Sequence, residues 1–201
     1  MKILVLADEK SKSLYEYYAP EKLQGVDLII ACGDLGKDYL DFFATMSGVP
    51  VLFVLGNHDY WYSPGTSCGC ICIEDDIFVY KGVRILGLGG SMQYRPGASN
   101  QYTERAMRRR IRKLWLKLLR RRGFDILVAH APAKDLNDMP DLPHQGFACF
   151  RHLIEKYQPK YFIHGHVHAS YGTGFKRLDQ YGSTIIVNAY EHYFVEIPTG
   201  E

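Results

Sequence analysis

LIIACGDLG, residues 28–36, decides how this chain folds: an apolar run of buried-strand type stops at Gly33-Asp34, a turn that carries a carboxylate. Three more stretches end the same way. VLFVLGNHD, residues 51–59, closes on Gly56-Asn57-His58-Asp59; DILVAHAP, residues 125–132, carries His130; KYFIHGHVH, residues 160–168, ends in Gly165-His166-Val167-His168. Each places Asp, Asn or His where a strand gives way to a loop, which is where open α/β sheets bind ligands. All three residue types ligate metals. The first apolar run, Ile3 to Ala7, leads into Asp8-Glu9-Lys10.

Continuous apolar runs rich in Ile, Val and Leu mark buried strands. They fall near residues 2–7, 27–32, 51–55, 77–80, 83–88, 125–130, 160–164, 184–188 and 192–197. Helices are predicted over Ser11–Tyr18, Asp38–Met46, Thr103–Arg122 and Phe147–Tyr157, with Gly48, Pro50 and Pro159 as stop signals. The first half alternates strand and helix, whereas the second contains strand pairs joined tightly, as at Tyr80-Lys81-Gly82-Val83. The predicted fold is α/β: two packed mixed β-sheets flanked by helices, a four-layer α-β-β-α sandwich. At 201 residues the chain suits a single domain over 1–201 with a sizeable core. Two long segments, 89–102 and 131–145, read as walls of a substrate site or as surface insertions.

Composition narrows the class. The run Ile3–Ala7 is too short for a signal-peptide core or a membrane span. Five cysteines without an export signal read as reduced thiols of a cytoplasmic protein. The C-x-C-x-C spacing of Cys68, Cys70 and Cys72 lacks the wider spacing of structural zinc sites. The net charge of +2 hides an asymmetry: residues 105–122 hold ten Lys and Arg and no acid, leaving 14 basic against 22 acidic residues elsewhere. Met107, Ile111, Leu114, Trp115, Leu118 and Leu119 recur at helical spacing and predict one apolar face, with the arginines in solvent. Such a helix is either a solvated crossover or a surface for nucleic acid or anionic membrane.

Taken singly, each motif has a bland alternative. Asp34 in Gly-Asp-Leu-Gly fits a turn or cap as well as a bridging carboxylate. Asn57-His58 fits a turn, and His130 alone fits a core histidine. His166 and His168, two apart, share one side of a strand and so can address the same metal region; His164 points the opposite way and reads as buried. Together they form a mixed oxygen and nitrogen set suited to divalent metals rather than a thiolate-rich structural site.

With its D-x-K, GD, GNHD, lone His and GHVH motifs in that order from Asp8 to His168, the chain resembles the calcineurin-like metallophosphoesterase superfamily. The resemblance implies a binuclear centre of two divalent ions, with Mn, Fe and Zn all compatible. One ion would be held by Asp34, Asn57, His130 and His166. The other would be held by Asp8, Asp34, His168 and the His of the superfamily's D-x-H, a position occupied here by Lys10. The tyrosine that other branches place three residues after the GD carboxylate is also missing, since position 37 is Lys. Protonated Lys10 has three donors and no acceptor and cannot ligate a cation. Releasing its proton at neutral pH costs several kcal/mol at roughly 1.4 per pH unit. Three readings of Lys10 remain: a weak first site completed by water, an ammonium beside the substrate phosphate, or a side chain turned to solvent.

The implied activity is hydrolysis of a phosphodiester or phosphomonoester, the diester favoured, on a small molecule or nucleotide, by attack of a metal-bound hydroxide. His58 takes the role of general acid and Asp59 that of its orienting partner. His144 is a candidate substrate contact, with Tyr94 and Arg95 behind it. The rival reading is a catalytically weak or inactive scaffold of the same fold that binds a protein partner. A metallo-β-lactamase type of site is excluded, because Ala169-Ser170-Tyr171 follows His168 where H-x-H-x-D-H is needed.

Overall fold

The structure is a computed structural model and describes every residue except 64, 65, 67, 68, 173 and 199–201. In chain order its elements are β1 (Lys2–Ala7), β2 (Leu28–Ala31), α1 (Lys37–Met46), β3 (Val51–Phe53), β4 (Ile71–Cys72), β5 (Asp76–Tyr80), β6 (Val83–Leu88), β7 (Ser91–Met92), β8 (Gln101–Tyr102), α2 (Glu104–Lys113), α3 (Trp115–Arg121), β9 (Ile126–Ala129), α4 (Ala148–Tyr157), β10 (Tyr161–His164), β11 (Leu178–Tyr181), β12 (Thr184–Asn188) and β13 (Glu191–Glu196). Five strands form one sheet in the order β13-β1-β2-β3-β4, and six form another in the order β11-β12-β10-β9-β6-β5. Both are mixed. β1, β2, β3 and β4 run parallel with β13 antiparallel at the edge, while β12, β10, β9 and β6 run parallel between antiparallel β11 and β5.

The packing explains why these strands read as unbroken apolar runs. In β1, Ile3, Val5 and Ala7 join Ile126 and Val128 of β9 in the layer between the sheets. Leu4 and Leu6 point the other way, into a cluster with Tyr39, Leu40 and Phe43 of α1. Leu127 and Ala129 likewise face Met107 of α2 and Phe150, Leu153 and Ile154 of α4. Each central strand is covered on both sides, so neither face needs polar residues. The four-layer α-β-β-α arrangement follows. All nine predicted strands are present, and β4, β7, β8 and β11 are additional. β11 (LDQY) alternates exposed and half-buried residues at a sheet edge and so carries no apolar run.

Two predicted helices differ from expectation. Residues 11–18 form turns, closed by Tyr15 N–H to Ser11 O at 2.9 Å and Tyr17 N–H to Lys12 O at 2.9 Å. Ser and Tyr are weak helix formers, and Tyr15 packs edge-on against Tyr39 and Phe42 instead. The long basic helix breaks at Leu114, where ψ is −1°, into α2 and α3. The break rotates the second half. Leu114 and Leu118 remain buried, while Trp115 and Leu119 are 60% and 67% exposed, contrary to the single apolar face. The arginines are not uniformly solvated either: Arg110 turns inward onto Glu74 and Asp75, Arg108 pairs with Glu104, and Lys117 with Asp76.

Of the Cys68–Cys72 cluster, Cys68 lies outside the described residues; Cys32 and Cys149 are buried thiols. Burial pushes both thiols well above their ordinary range. Among the described residues no helix is long and apolar enough to cross a membrane.

Candidate functional site

Each candidate ligand sits just beyond the carboxyl end of a parallel strand: Asp8 after β1, Asp34 after β2, Asn57 after β3, His130 after β9, and His166 and His168 after β10. Both sheets present these ends at the same edge, so loops from the two layers meet. The meeting forces unusual backbone. Asp8, Asp34 and His166 adopt φ of +65°, +60° and +67°. A left-handed conformation costs a non-glycine residue roughly 1–2 kcal/mol, and three at one point is the pattern of strain kept at a working site. Local bonds hold them there. Asp34 Oδ1 accepts from His58 N–H at 2.7 Å, and Asp8 Oδ2 accepts from His166 N–H at 2.8 Å.

The motif glycines serve this convergence. A Cβ on Gly56 would overlap the Asp34 carboxylate, and one on Gly165 would stand 2.5 Å from Ala7 Cβ and 2.7 Å from Asp8 Oδ2. The alternation argument for His166 and His168 is replaced accordingly. β10 ends at His164, and the left-handed turn at His166, not a strand pleat, aims the two imidazoles. His164 is fully buried, stacked on Phe162 with centroids 5.2 Å apart. Burial holds its pKa down at about 4.

Hydrogen bonding settles which atoms face inward. His130 Nδ1 lies 2.8 Å from Cys32 O, and His166 Nε2 lies 2.8 Å from Pro143 O. A carbonyl only accepts, so these nitrogens carry protons, and the opposite ones are the nitrogens that face the cluster. Asn57 donates its amide N–H to Tyr94 Oη at 3.3 Å, which leaves Oδ1 pointing to the centre. His130 Nε2 is then 3.0 Å from Asn57 Oδ1, 3.0 Å from His166 Nδ1 and 3.3 Å from Asp34 Oδ2. Four atoms of metal-ligand type converge: a carboxylate oxygen, an amide oxygen and two imidazole nitrogens. Burial opposes an imidazolium at His130, but Asp34 outweighs that and pushes its pKa up to about 9. Burial likewise works against ionisation of Asp34, yet His130 and the His58 N–H hold it down at about 2. Burial and the His130 charge drive His166 well below its ordinary value. The donor set of carboxylate, amide oxygen and two imidazoles, each imidazole oriented by a carbonyl, fits a divalent metal ion.

The neighbouring half of the site is different. Asp8 is 1% exposed at its side chain, and its Oδ1, 3.4 Å from His168 Nε2, has no hydrogen-bond partner. Carboxylate oxygens of Asp8 and Asp34 and a His130 nitrogen lie within 4.8 Å of one another. His168 stacks on Tyr171 at 4.6 Å and packs beside Tyr190 at 4.9 Å. Lys10 does not join them. Its ammonium pairs with Asp38 in the first turn of α1 and lies 5.4 Å and 6.0 Å from the ring centroids of Tyr15 and Tyr39. Lys10, expected as a phosphate-side substrate contact, is not among the residues that line the cleft; it pairs instead with Asp38 beside two aromatic rings.

A cleft of about 270 Å³ opens over the ligands and is lined by His58, Tyr94, Pro143 and His144 among others. Both long loops are thus walls of the site. His58 is exposed at the mouth. His144, bonded through Nδ1 to Asp141 Oδ2 at 2.5 Å, has its ring 5.1 Å from that of His166. Asp59 is corrected in its role. Its Oδ2 accepts from the N–H groups of Asp34 and Gly56, both at 2.8 Å, and its Oδ1 accepts from the Trp61 indole at 2.8 Å. It staples the two ligand loops together, and these bonds go to neither nitrogen of the His58 ring.

A second staple had no sequence signal. Glu74 accepts from Leu55 N–H at 2.8 Å and Gly89 N–H at 3.2 Å, and Arg110 binds Glu74 while donating to Gly89 O at 2.8 Å. Only the fold brings these distant positions together.

The family model of the calcineurin-like phosphoesterases matches residues 1–170, and the chain belongs to that family. A comparison with curated protein sequences finds no match. Among solved structures, one that is 18% identical superposes with a TM-score of 0.70 over 96% of this chain and 94% of its own. TT1561 of Thermus thermophilus superposes with a TM-score of 0.63 at 16% identity, over 94% of this chain and 89% of that one. A putative 5′-nucleotidase from Staphylococcus aureus does so with a TM-score of 0.54 at 14% identity, over 93% of this chain and 48% of that one. These likenesses show the fold.

Proposed function

We propose that the chain is a metal-dependent phosphoesterase acting on a phosphodiester in preference to a phosphomonoester. The observation that carries this is the convergence of Asp34 Oδ2, Asn57 Oδ1 and His166 Nδ1 within 3.0–3.3 Å of His130 Nε2, four atoms of metal-ligand type from four separate loops. A scaffold of the same fold has no need to keep four such atoms in a buried, strained arrangement. Divalent metal held by these residues, with Asp8 and His168 beside it, supplies Lewis-acid charge to phosphoryl oxygens and an activated water.

The remaining chemistry belongs to side chains. His58, exposed at the cleft mouth with its backbone tied to Asp34, donates a proton to the departing oxygen as the P–O bond breaks. Tyr94 fixes the Asn57 amide so that its oxygen faces inward. His144 stands on the opposite wall, where it hydrogen-bonds a nonbridging oxygen or the leaving group. Asp59 acts as a positioning residue by joining the Asp34 and Asn57 loops.

The diester preference rests on charge. Among the described residues lining the cleft there is no Lys or Arg. A dianionic monoester would find no Lys or Arg in the walls to match its second charge, whereas a monoanionic diester asks less of them. The basic segment 105–122 adds no support for a nucleic-acid substrate, because exposed Trp115, Leu116 and Leu119 interrupt its arginines. Turnover of bis(p-nitrophenyl) phosphate and p-nitrophenyl phosphate by purified protein with added Mn²⁺ tests the proposal. Hydrolysis of the diester, abolished by chelator and restored by Mn²⁺, is expected. No hydrolysis of either ester with Mn²⁺, Fe²⁺ or Zn²⁺ would return the scaffold reading.

A further inference from the structure

The two halves of the candidate metal centre are built to different standards. One half presents four preset donor atoms. Asn57, His130 and His166 are 1%, 0% and 6% exposed, and every donor is oriented by a second bond or a tight contact. The other half has only Asp8 Oδ1, the shared Asp34 and His168 Nε2, the last on a side chain 31% exposed.

Groups near that second half are committed elsewhere. Lys10 is latched to Asp38 and lies over Tyr15 and Tyr39. Ser11 Oγ donates to Glu191 at 3.0 Å, and the Tyr190 hydroxyl donates to Glu9. The Tyr39 hydroxyl accepts the Ser11 N–H at 3.0 Å. No described side chain stands ready to complete the coordination, yet the buried, unpartnered Asp8 Oδ1 aims into the gap. A small divalent ion needs four to six donors. The shortfall can be met only by water or by an oxygen of the substrate.

Resting on the phosphoesterase reading above, we infer that this chain binds one divalent ion through its own residues and a second only in company with the phosphoryl group of its ligand. The second ion and the phosphate are therefore mutually dependent. Each strengthens the other by the same factor, as thermodynamic linkage requires. Lys10 sets this dependence by withholding a fourth protein ligand. An imidazole in its place would remove it, provided the Asp38 latch is lost, as it is when the ammonium is removed.

The experiment is calorimetric titration of metal-free protein with Mn²⁺, with and without inorganic phosphate, followed by electron paramagnetic resonance of the loaded samples for exchange-coupled Mn²⁺ pairs. One ion per chain is expected without phosphate. With phosphate a second should bind at least about tenfold more tightly than in its absence, within the usual range of coupling between sites, and the coupled spectrum should appear only then. Lys10→His should bind two ions without phosphate and show the coupled spectrum. Lys10→Met, which removes the ammonium without adding a ligand, should behave as the unaltered chain. Thermal melts within a few degrees of the parent establish that both variants fold.

Two ions of similar affinity without phosphate, or a second ion indifferent to phosphate, would overturn the inference while leaving the phosphoesterase reading intact. A Lys10→His protein still dependent on phosphate would overturn the part assigned to Lys10. No binding of Mn²⁺ under any condition would remove the phosphoesterase reading itself and the inference with it.

Discussion

Replacing Arg110 by Ala strikes the staple beneath the Asn57 loop, and the structure sets the size of the effect. The Arg110 side chain is 13% exposed; it pairs with Glu74 and Asp75, donates to Gly89 O at 2.8 Å and lies 4.4 Å from the Tyr102 ring centroid. Glu74, its main partner, is 18% exposed at its side chain. Removing one member of a buried pair strands the other charge and costs about 3–5 kcal/mol. For a domain of this size that corresponds to a fall in melting temperature of about 10 °C, at roughly 2–4 °C per kcal/mol.

The pH dependence is the sharper signature. Burial raises the Glu74 pKa in the folded chain, and the Arg110 charge opposes that rise. Without Arg110 the folded value climbs further above the unfolded one. The folded state then binds more protons than the unfolded state, so stability falls as pH rises through this window. The deficit of Arg110→Ala should be largest near pH 7 and shrink as pH drops toward about 4.5, near the unfolded value of a glutamate. Urea denaturation of both proteins at half-unit intervals from pH 4.5 to 7.5 measures it. A variant within 1 kcal/mol of the parent at pH 7, or a deficit constant with pH, would refute the buried-pair reasoning.

Three further outcomes are expected. His58→Ala should lower kcat for the diester by about 10²–10⁴-fold, with metal content and melting temperature unchanged; loss of bound metal would instead place His58 among the ligands. Gly56→Ala should destabilise the chain by about 1–3 kcal/mol through overpacking and weaken Mn²⁺ binding, since the added Cβ overlaps the Asp34 carboxylate; unaltered titration by Mn²⁺ would show that the loop yields freely. The Arg84 guanidinium holds Asp125 below the usual carboxylate range, with bonds of 2.9 Å and 2.7 Å. Its contribution is present above the unfolded pKa near 4 and lost as pH falls through the folded value. Asp125→Asn should therefore flatten acid unfolding below pH 4, and an unchanged acid limb would contradict it.

The strand-end motifs were legible because the chemistry leaves a local trace. A strand buried on both faces must be an apolar run, and a metal ligand at its end is Asp, Asn or His, preceded at Asp34, Asn57 and His166 by a glycine that admits close approach. Asp34, Asn57, His130 and His166 stood out as candidates on those grounds and as one ligand set only through the resemblance of their order to the superfamily's motifs; the fold brings the donor atoms of the other three within 3.0–3.3 Å of His130 Nε2. The break at Leu114 was not readable, because helical periodicity continues across it while the backbone does not. Nor was the Glu74–Arg110 staple, whose members look like any surface pair until the fold buries them.

Lys10 shows where the division falls. The sequence by itself established that no imidazole stands two residues after Asp8, since ligand identity is a property of single positions. Where the Lys10 ammonium goes was open, because a flexible cationic chain goes to whichever anion is nearest. Only the tertiary structure shows where it goes: to Asp38 and the rings of Tyr15 and Tyr39, with Lys10 not among the residues that line the cleft. Distances between residues remote in sequence exist only in the packed chain, and electrostatic partnership follows distance.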